Sequence, residues 1–419
     1  LQDFNSELES IDSRLLLRTG KTIEVLQKLV DETKSNAIYF HRRYSKPERD
    51  EDEIIQKTFS DLEIKDFSGN LLYEPQNIQT KQGKPYQVYT PYWNACLDKG
   101  QPPKPLAPPK ELLAPASWPK SEKLSSLSLL PTKNWDEGMK KFWKPEIAGA
   151  RELFKTFRDE KMDSYKDSRD IPALDGTSRL SPFLHFGQLS SRRLWSELYK
   201  RPVKNAASKT QYLKELVWRE FFQQVLAAFP RVVDEPFRQV PAPAPLAPGT
   251  ERDRLYETWC EGKTGFPIVD AGMRQLNQTG WMHNRVRMIV ASFLIKDLRI
   301  DWQSGERYFM QRLIDADVAA NNGNWQWCAS TGTDAMQGYR IFNPLLQSKK
   351  FDPKGEYIRK YVPELADVQT DQIHVPHLMT HEEQALAKCR IGIDYPSPIV
   401  DHRQARDEYL ALGKLQRTR

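Results

Sequence analysis

Tyr212-Leu-Lys-Glu-Leu-Val-Trp-Arg-Glu-Phe-Phe-Gln-Gln-Val-Leu-Ala-Ala-Phe229 brings Leu213, Leu216, Val217, Phe221 and Val225 back at helical spacing. Just ahead of it, Ser208-Lys-Thr-Gln211 has the spelling of a capping box, a hydroxyl three residues before an amide. Ile268–Thr279, Met282–Leu298 and Gly305–Leu313 read as further helices, and no strand pattern competes after about Lys144. The second half of the chain is therefore expected to be all-helical.

Working outward, the first hundred residues read differently. The chain opens on Leu1 inside a helix (Leu1–Leu15), which has the look of a fragment or a processed form. Leu15–Leu17, the helix Lys21–Glu32, Ala37–Phe40, Ile54–Phe59 and Leu71–Tyr73 alternate strand with helix, the pattern of a parallel α/β unit with few strands of its own. From Lys99 to Pro119 prolines are dense (Gln101-Pro-Pro-Lys-Pro-Leu-Ala-Pro-Pro-Lys110), so this stretch is a surface connector; Pro241-Ala-Pro-Ala-Pro-Leu-Ala-Pro248 breaks the chain again. The expected organisation is an incomplete Rossmann-like α/β domain over 1–95, a proline-rich connector over 96–145 and a large helical domain over 146–419.

The 419 residues can bury two or three cores. With 39% apolar and 28% charged residues the chain is globular, not disordered. The longest apolar run, about Met288–Ile295, is far short of the ~20 residues a membrane span needs, and no charged-then-apolar secretory leader is present at the start. Cys96, Cys260, Cys328 and Cys389 form no CxxC pair, which argues against a disulfide framework or zinc ribbon and fits a reducing cytoplasm. A net charge of +6 is compatible with a polyanionic partner without requiring one. Eleven tryptophans are unusual, and serve either as core filler or as a stacking and electron-transfer apparatus.

Several clusters could carry chemistry. His374, His377 and His381 invite a metal reading, but Pro376 keeps the first two off a shared helix face and no acid or thiol completes a set; a solvated loop is expected, with no metal. Asp175-Gly-Thr-Ser-Arg-Leu-Ser181 gathers hydroxyls and a guanidinium where a loop enters a helix, a phosphate-binding spelling that a plain helix cap explains equally well. Glu215, Trp218 and Arg219 share a helix face, either as internal ion pairing or as a site. Asn284, Arg285, Arg287 and Met288 after Trp281 suit a pocket for a flat, charged ligand better than a core. Asp315 and Asp317 sit in apolar surroundings, where carboxylates are usually paired. Asn321, Asn322 and Asn324 then crowd a turn ahead of Trp325 and Trp327, as a pocket for a heteroaromatic ring would require.

Taken in order, Gly262-Lys-Thr-Gly-Phe-Pro-Ile-Val-Asp-Ala-Gly-Met-Arg274, Thr279-Gly-Trp-Met-His-Asn-Arg285, Asp315 through Trp327 and Arg340-Ile-Phe-Asn-Pro344 closely resemble the DNA photolyase/cryptochrome family, most of all the bacterial class I cyclobutane pyrimidine dimer photolyases. Gly83-Lys-Pro-Tyr-Gln-Val-Tyr-Thr-Pro-Tyr-Trp93 resembles the segment that closes the family's N-terminal domain. The resemblance spans nearly the whole chain and lacks a counterpart for the family's first strands.

It implies a reduced FAD held in the helical domain by Tyr165, Thr177, Ser178, Arg179, Leu180, Ser181, Arg219, Trp281, Asn284, Arg287, Asp315, Asp317 and Asn321. Arg287 would face the flavin ring, anchored by Asp315, with Asp317 accepting from its N3–H and Asn321 beside N5. It implies contacts to DNA carrying a pyrimidine dimer from Arg169, Glu215, Trp218, Arg219, Asn284, Arg285, Met288, Trp327 and Gln347, the dimer being flipped out of the duplex. Light would drive an electron from the flavin into the dimer and back. Asn321, Met288 and Trp327 favour dimer repair over a cryptochrome-like blue-light receptor, the (6-4) class and the single-strand-preferring branch. Trp325 and Trp302 match two members of the family's electron-relay tryptophans; the third position, about ten residues before Trp259, reads Pro248-Gly-Thr250, and Tyr256 is the candidate replacement exit. A second, light-harvesting chromophore, folate or deazaflavin, would sit by Tyr39–Asp50. A monomer in the bacterial cytoplasm, nucleoid-associated when bound to DNA, is expected.

Overall fold

The structure is a computed structural model that describes residues 1–240, 243–334 and 340–417, with the backbone alone over 415–417; Pro241 and Ala242 of the second proline run lie outside it. The helix Thr22–Thr33 leads into β1 (Ala37–His41), the helix Lys46–Thr58 and β2 (Glu63–Phe67). The two strands pair in parallel, Ala37 opposite Glu63 through His41 opposite Phe67, so the helix between them is a crossover. Ser45 and Glu48 close a capping box at that helix's start, with proline in its first turn.

Four N-terminal expectations need correction. The opening helix stops at Glu9, where the chain turns through Asp12 at φ +58° and Leu15 donates its N–H to Asn5 Oδ1 (2.8 Å). Leu15–Leu17 is not a strand: Leu17 pairs through its backbone with Ser121 and Glu122 of the connector. Ile54–Phe59 finishes the crossover helix, because Ile55 and Phe59 are buried one turn apart. Leu71–Tyr73 is irregular but almost fully buried, and the second strand is Glu-Ile-Lys-Asp-Phe, too polar to stand out as one.

The connector is largely exposed, with Leu106 and Leu113 almost bare, and Gln101 Oε1 accepts the indole N–H of Trp195 (2.8 Å). Beyond it, among the described residues, the chain is helical. The long helix Ala206–Ala228 starts three residues earlier than expected, because Asn205 caps it by accepting from the N–H groups of Ala207 and Ser208 (3.1 and 3.2 Å); Ser208, inside the first turn, instead donates to the Asp163 carbonyl (3.1 Å). The expected helix Met282–Leu298 divides at its end into Asn284–Ser292 and a π-helical turn, Phe293–Asp297. Two apolar cores result. One packs Tyr92, Trp93 and Phe154 with the long helix; the other packs Trp259, the helices Pro267–Thr279 and Asn284–Ser292, and Tyr357–Leu365.

The long helix also rivets the α/β unit to the rest. Glu220, 1% exposed, accepts from Leu72 N (2.7 Å) and from Arg219 Nη1 (3.1 Å), while Arg219 donates to the Asn70 carbonyl (2.8 Å). Burial pushes the Glu220 carboxyl up from 4.5 to about 7. Between those values the folded chain holds a proton that the unfolded chain releases. The stability this group adds is therefore complete below pH 4.5 and lost as pH rises through 7, by up to about 3 kcal/mol. Urea unfolding of wild type and Glu220→Gln at pH 5 and pH 8 is expected to show wild type losing ground against the variant by about 2–3 kcal/mol. Parallel pH profiles would contradict this account of Glu220.

Candidate functional site

Three elements surround a solvent-open hollow of about 1160 Å³: the Thr177–Ser181 turn, the inward face of the long helix, and the segment running from Trp281 through Asp317. A second space of about 550 Å³ continues it, sharing Asn284, Arg287, Asp315 and Asp317 and reaching Met288, Asn321 and Trp325. Such a cleft takes a large organic molecule.

The turn is held in an unusual shape. Arg179 has φ +51°, a conformation few side-chain-bearing residues adopt, and its guanidinium pairs with Asp175, which also takes Lys161 Nζ (2.5 Å). Ser178 Oγ accepts from Tyr212 OH (3.2 Å) and Ser181 Oγ donates to Asp315 Oδ2 (2.6 Å). Asp315, its side chain 4% exposed, also takes the Arg287 guanidinium (2.9 Å), whose Nε donates to the Met282 carbonyl (2.8 Å). One carboxylate thus locks a hydroxyl and a cation on the same wall. Asp317 caps the helix Val318–Ala329 through Ala320 N (2.8 Å) and accepts from Gln223 Nε2 (3.0 Å). Both acids are paired, as their apolar setting suggested.

On the long helix, Glu215 Oε1 accepts from Arg169 and from Gln211 Nε2 (2.7 Å). Glu215 and Arg219 face the hollow, but Trp218 does not line it: its ring stacks on Tyr89 at 3.6 Å and 4°. Arg285, Trp327 and Gln347 do not line it either. Arg285 pairs with Asp170 (3.0 Å) and lies 4.4 Å over the Phe351 ring, Trp327 borders a small separate cavity with Arg340 and Phe342, and Gln347 is half-buried on Pro344–Phe351. Of the predicted electron-relay residues only Trp325 lines the cavity, Trp302 and Tyr256 lying outside it, whereas the remaining predicted flavin and lesion residues, Tyr165, Trp281, Asn284 and Met288 among them, come together.

The asparagine cluster is part of a helix, not a turn, and it divides by role. Asn321 donates to the Glu306 carbonyl (3.0 Å) and borders the inner space. Asn322 donates to Glu306 Oε1 (2.9 Å) and accepts from Gln326 Nε2 (3.0 Å), a network that fastens two helices; burial pushes the Glu306 carboxyl up to about 7 against the opposing pull of the Asn322 hydrogen bond. Glu306 and Gln326 escaped sequence reading, since neither lies in a distinctive pattern. Glycines make the packing possible: a Cβ on Gly305 would collide with the Trp325 ring, and one on Gly323 with Phe222. His374 is buried, not solvated, its Nδ1 hydrogen-bonded with Ser348 Oγ (2.7 Å), and among the described residues no cluster has the makings of a metal site.

Residues 212–414 match the family model for the FAD binding domain of DNA photolyase, and residues 1–110 that for DNA photolyase. A deoxyribodipyrimidine photo-lyase of Agrobacterium fabrum is 42% identical over 98% of this chain and 86% of its own length. The chain belongs to the DNA photolyase family. A second photolyase relative, the deoxyribodipyrimidine photo-lyase of Escherichia coli, is 38% identical over 94% of this chain and 82% of its own. Among solved photolyases, one described as a bacterial class III photolyase from Agrobacterium tumefaciens superposes with a TM-score of 0.94 at 40% identity, covering 100% of this chain and 87% of that one. A Synechocystis cryptochrome follows at 0.86 and 29%, covering 98% and 86%. The photolyase fold, an N-terminal α/β domain with a helical FAD-binding domain, is thus the one observed.

Proposed function

We propose that this chain is a light-dependent DNA repair enzyme that opens cyclobutane pyrimidine dimers, with FAD in the hollow and the flipped-out dimer over its mouth. The observation that carries the reading is the convergence on one cavity of a hydroxyl-rich turn, the Arg287–Asp315 pair, Asp317, Asn321 and, at its outer edge, Glu215. The residues fit the cofactor. Thr177, Ser178 and Ser181 offer hydroxyls to phosphate and ribityl oxygens, Arg287 a cation to the ring, and Asp317 an acceptor for a ring N–H. Asn321 keeps its amide nitrogen on Glu306 and its carbonyl has no partner within the described residues.

When bound and reduced, FAD supplies the photochemical electron. The protein's part is positional. Asp315 fixes Ser181 and Arg287 in one geometry, so the ring's polar edge meets a preformed wall. Arg169 and Gln211 hold the Glu215 carboxylate toward the opening, where it can accept from the thymine edges. Trp218, backed by Tyr89, forms a rigid shoulder beside them, and Met288 and Asn284 line the cavity floor; Arg285, Trp327 and Gln347, outside the hollow, belong to the DNA-facing surface. Division at 1–95, 96–145 and 146–419 accompanies this reading, as do a monomeric state and a cytoplasmic location with nucleoid association on DNA.

For a second chromophore, expected by Tyr39–Asp50, we take a hollow of about 1170 Å³ at the carboxyl ends of both strands, to which His41 alone of that stretch contributes, with Ser68–Asn70, Phe186 and Arg192. Parallel sheets bind ligands at that end. Folate and deazaflavin are the two candidates; a Sulfolobus tokodaii photolyase, 31% identical with a TM-score of 0.76, carries two FAD molecules. The test of the main reading is blue-light repair of a thymine-dimer oligonucleotide by the purified, prereduced protein. Restored thymine is expected; flavin-loaded protein that restores none would turn the reading toward a blue-light receptor.

A further inference from the structure

We infer that Asp170 is a positioning residue that exchanges partners between Arg285 and Arg169, so that the flipped dimer and the DNA backbone are bound as one event. This rests on the DNA repair reading above and adds a residue that no sequence motif singled out. The helix Tyr165–Ser168 ends in a turn that the N–H groups of Arg169 and Ile171 close on the Tyr165 and Ser168 carbonyls (2.9 and 3.1 Å), which fixes Arg169 and Asp170 side by side. Asp170 Oδ2 pairs with Arg285 Nη2 (3.0 Å), and its Oδ1 stands 3.7 Å from Arg169 Nε. Arg169 in turn pairs with Glu215 through Nη1. Charges therefore alternate along one row: Glu215, Arg169, Asp170, Arg285. Glu215 and Arg169 line the hollow. Asp170 and Arg285 lie outside it, where Arg285 rests on the Phe351 ring and Lys350 Nζ stands 5.1 Å from the same ring centroid.

Three features make the row an exchange device and not a static brace. Arg285 is short of acceptors: Asp170 is its acid, Nη1 reaches only the Met288 sulfur (3.8 Å), and Nε is buried with no hydrogen-bond partner among the described residues. A planar guanidinium with spare donors suits a phosphate oxygen. Asp170 is not committed to the nearby imidazole, because burial pushes His283 from 6.5 down to about 4 and leaves it neutral, its Nδ1 accepting the Arg285 N–H (3.2 Å). The contact of Asp170 with Arg169 is loose, about 1 Å longer than the ~2.8 Å of a charge-assisted hydrogen bond. When a backbone phosphate takes Arg285, Asp170 is released toward Arg169 and Arg169 loosens its hold on Glu215. Glu215, kept in place by Gln211 Nε2 (2.7 Å), then accepts from a thymine N–H. Each cation keeps one anion throughout and no proton moves. Run the other way, a dimer that engages Glu215 sends Arg169 to Asp170 and frees Arg285 for the phosphate, so each contact strengthens the other. An undamaged duplex offers only the phosphate half.

The test is filter binding of matched oligonucleotides, with and without a thymine dimer, to the flavin-loaded protein. Asp170→Asn keeps the shape and loses the charge. It is expected to lower the preference for the dimer about fivefold, while affinity for undamaged DNA holds or rises because a negative charge has left a DNA-facing surface. A double-mutant cycle reads the coupling itself. On dimer DNA the losses from Glu215→Gln and Arg285→Gln should be non-additive by about fivefold in the wild-type background, and additive to within about twofold in Asp170→Asn. Asp170→Glu, which keeps the charge, should restore part of the coupling. Equal weakening on both DNAs in Asp170→Asn, an unchanged preference, or the same cycle in both backgrounds overturns the inference. Additivity in the wild-type background overturns it whatever Asp170→Asn does. A wild type with no preference for the dimer would sink the repair reading, and the exchange with it.

Discussion

Asp315→Ala is expected to yield a folded protein that purifies without colour. The Asp315 carboxylate is nearly inaccessible and holds Ser181 and Arg287 together; removing it frees the hydroxyl and strands a guanidinium that is only 24% exposed. Losing one partner of a fully buried pair costs about 3–5 kcal/mol. Arg287's residual exposure lowers that, and about 2.7 kcal/mol, equivalent to ~100-fold weaker FAD binding, is the expected size. Titration of apoprotein with FAD by flavin fluorescence measures it. Asp315→Asn, which keeps shape and an acceptor, should recover part of the loss. Binding within about threefold of wild type in Asp315→Ala would remove Asp315 from the account.

The second large effect is on the lesion. Glu215→Ala is expected to leave flavin content unchanged and to weaken discrimination of dimer-containing over undamaged DNA by about 30–100-fold, the worth of about 2–3 kcal/mol in charge-assisted hydrogen bonds. Filter binding of matched oligonucleotides with and without a thymine dimer reads this directly. The same change releases Arg169, which is paired to Glu215 with its side chain 16% exposed. Arg169→Ala is the control: if Glu215 acts only as that arginine's partner, the two variants lose the same discrimination, whereas a direct contact makes Glu215→Ala the worse.

Long periodic helices and the paired acids were legible because amphipathic spacing and local apolarity are written in neighbouring residues. Tyr212–Phe229 is the clearest instance, and even there the cap moved, because Ser208 found a tertiary partner in Asp163 that no local pattern announces. The strand Glu63–Phe67 was missed since its faces are mostly polar, and Leu71–Tyr73 misled because burial alone imitates a strand. At the site, Asp315, Asp317, Arg287 and the Thr177–Ser181 turn came together as expected. Trp218 was assigned an open face that Tyr89 covers, a contact across 129 positions of chain. Asn322 and Gln326 illustrate the converse: an amide cluster that reads as recognition chemistry is in part a tie between helices.

The hollow lies where two separately packed cores meet, with Tyr165, Leu180, Tyr212 and Leu216 from one and Phe309, Leu313 and Trp325 from the other. A molecule lodged on that seam acts as a keystone. Occupancy at a thousand times the dissociation constant is worth ~4 kcal/mol to the folded state, and without it the halves should part first along this line. Protease would then cut the empty chain at the seam before either half had loosened, so that cofactor supply governs how long the protein survives as much as whether it works.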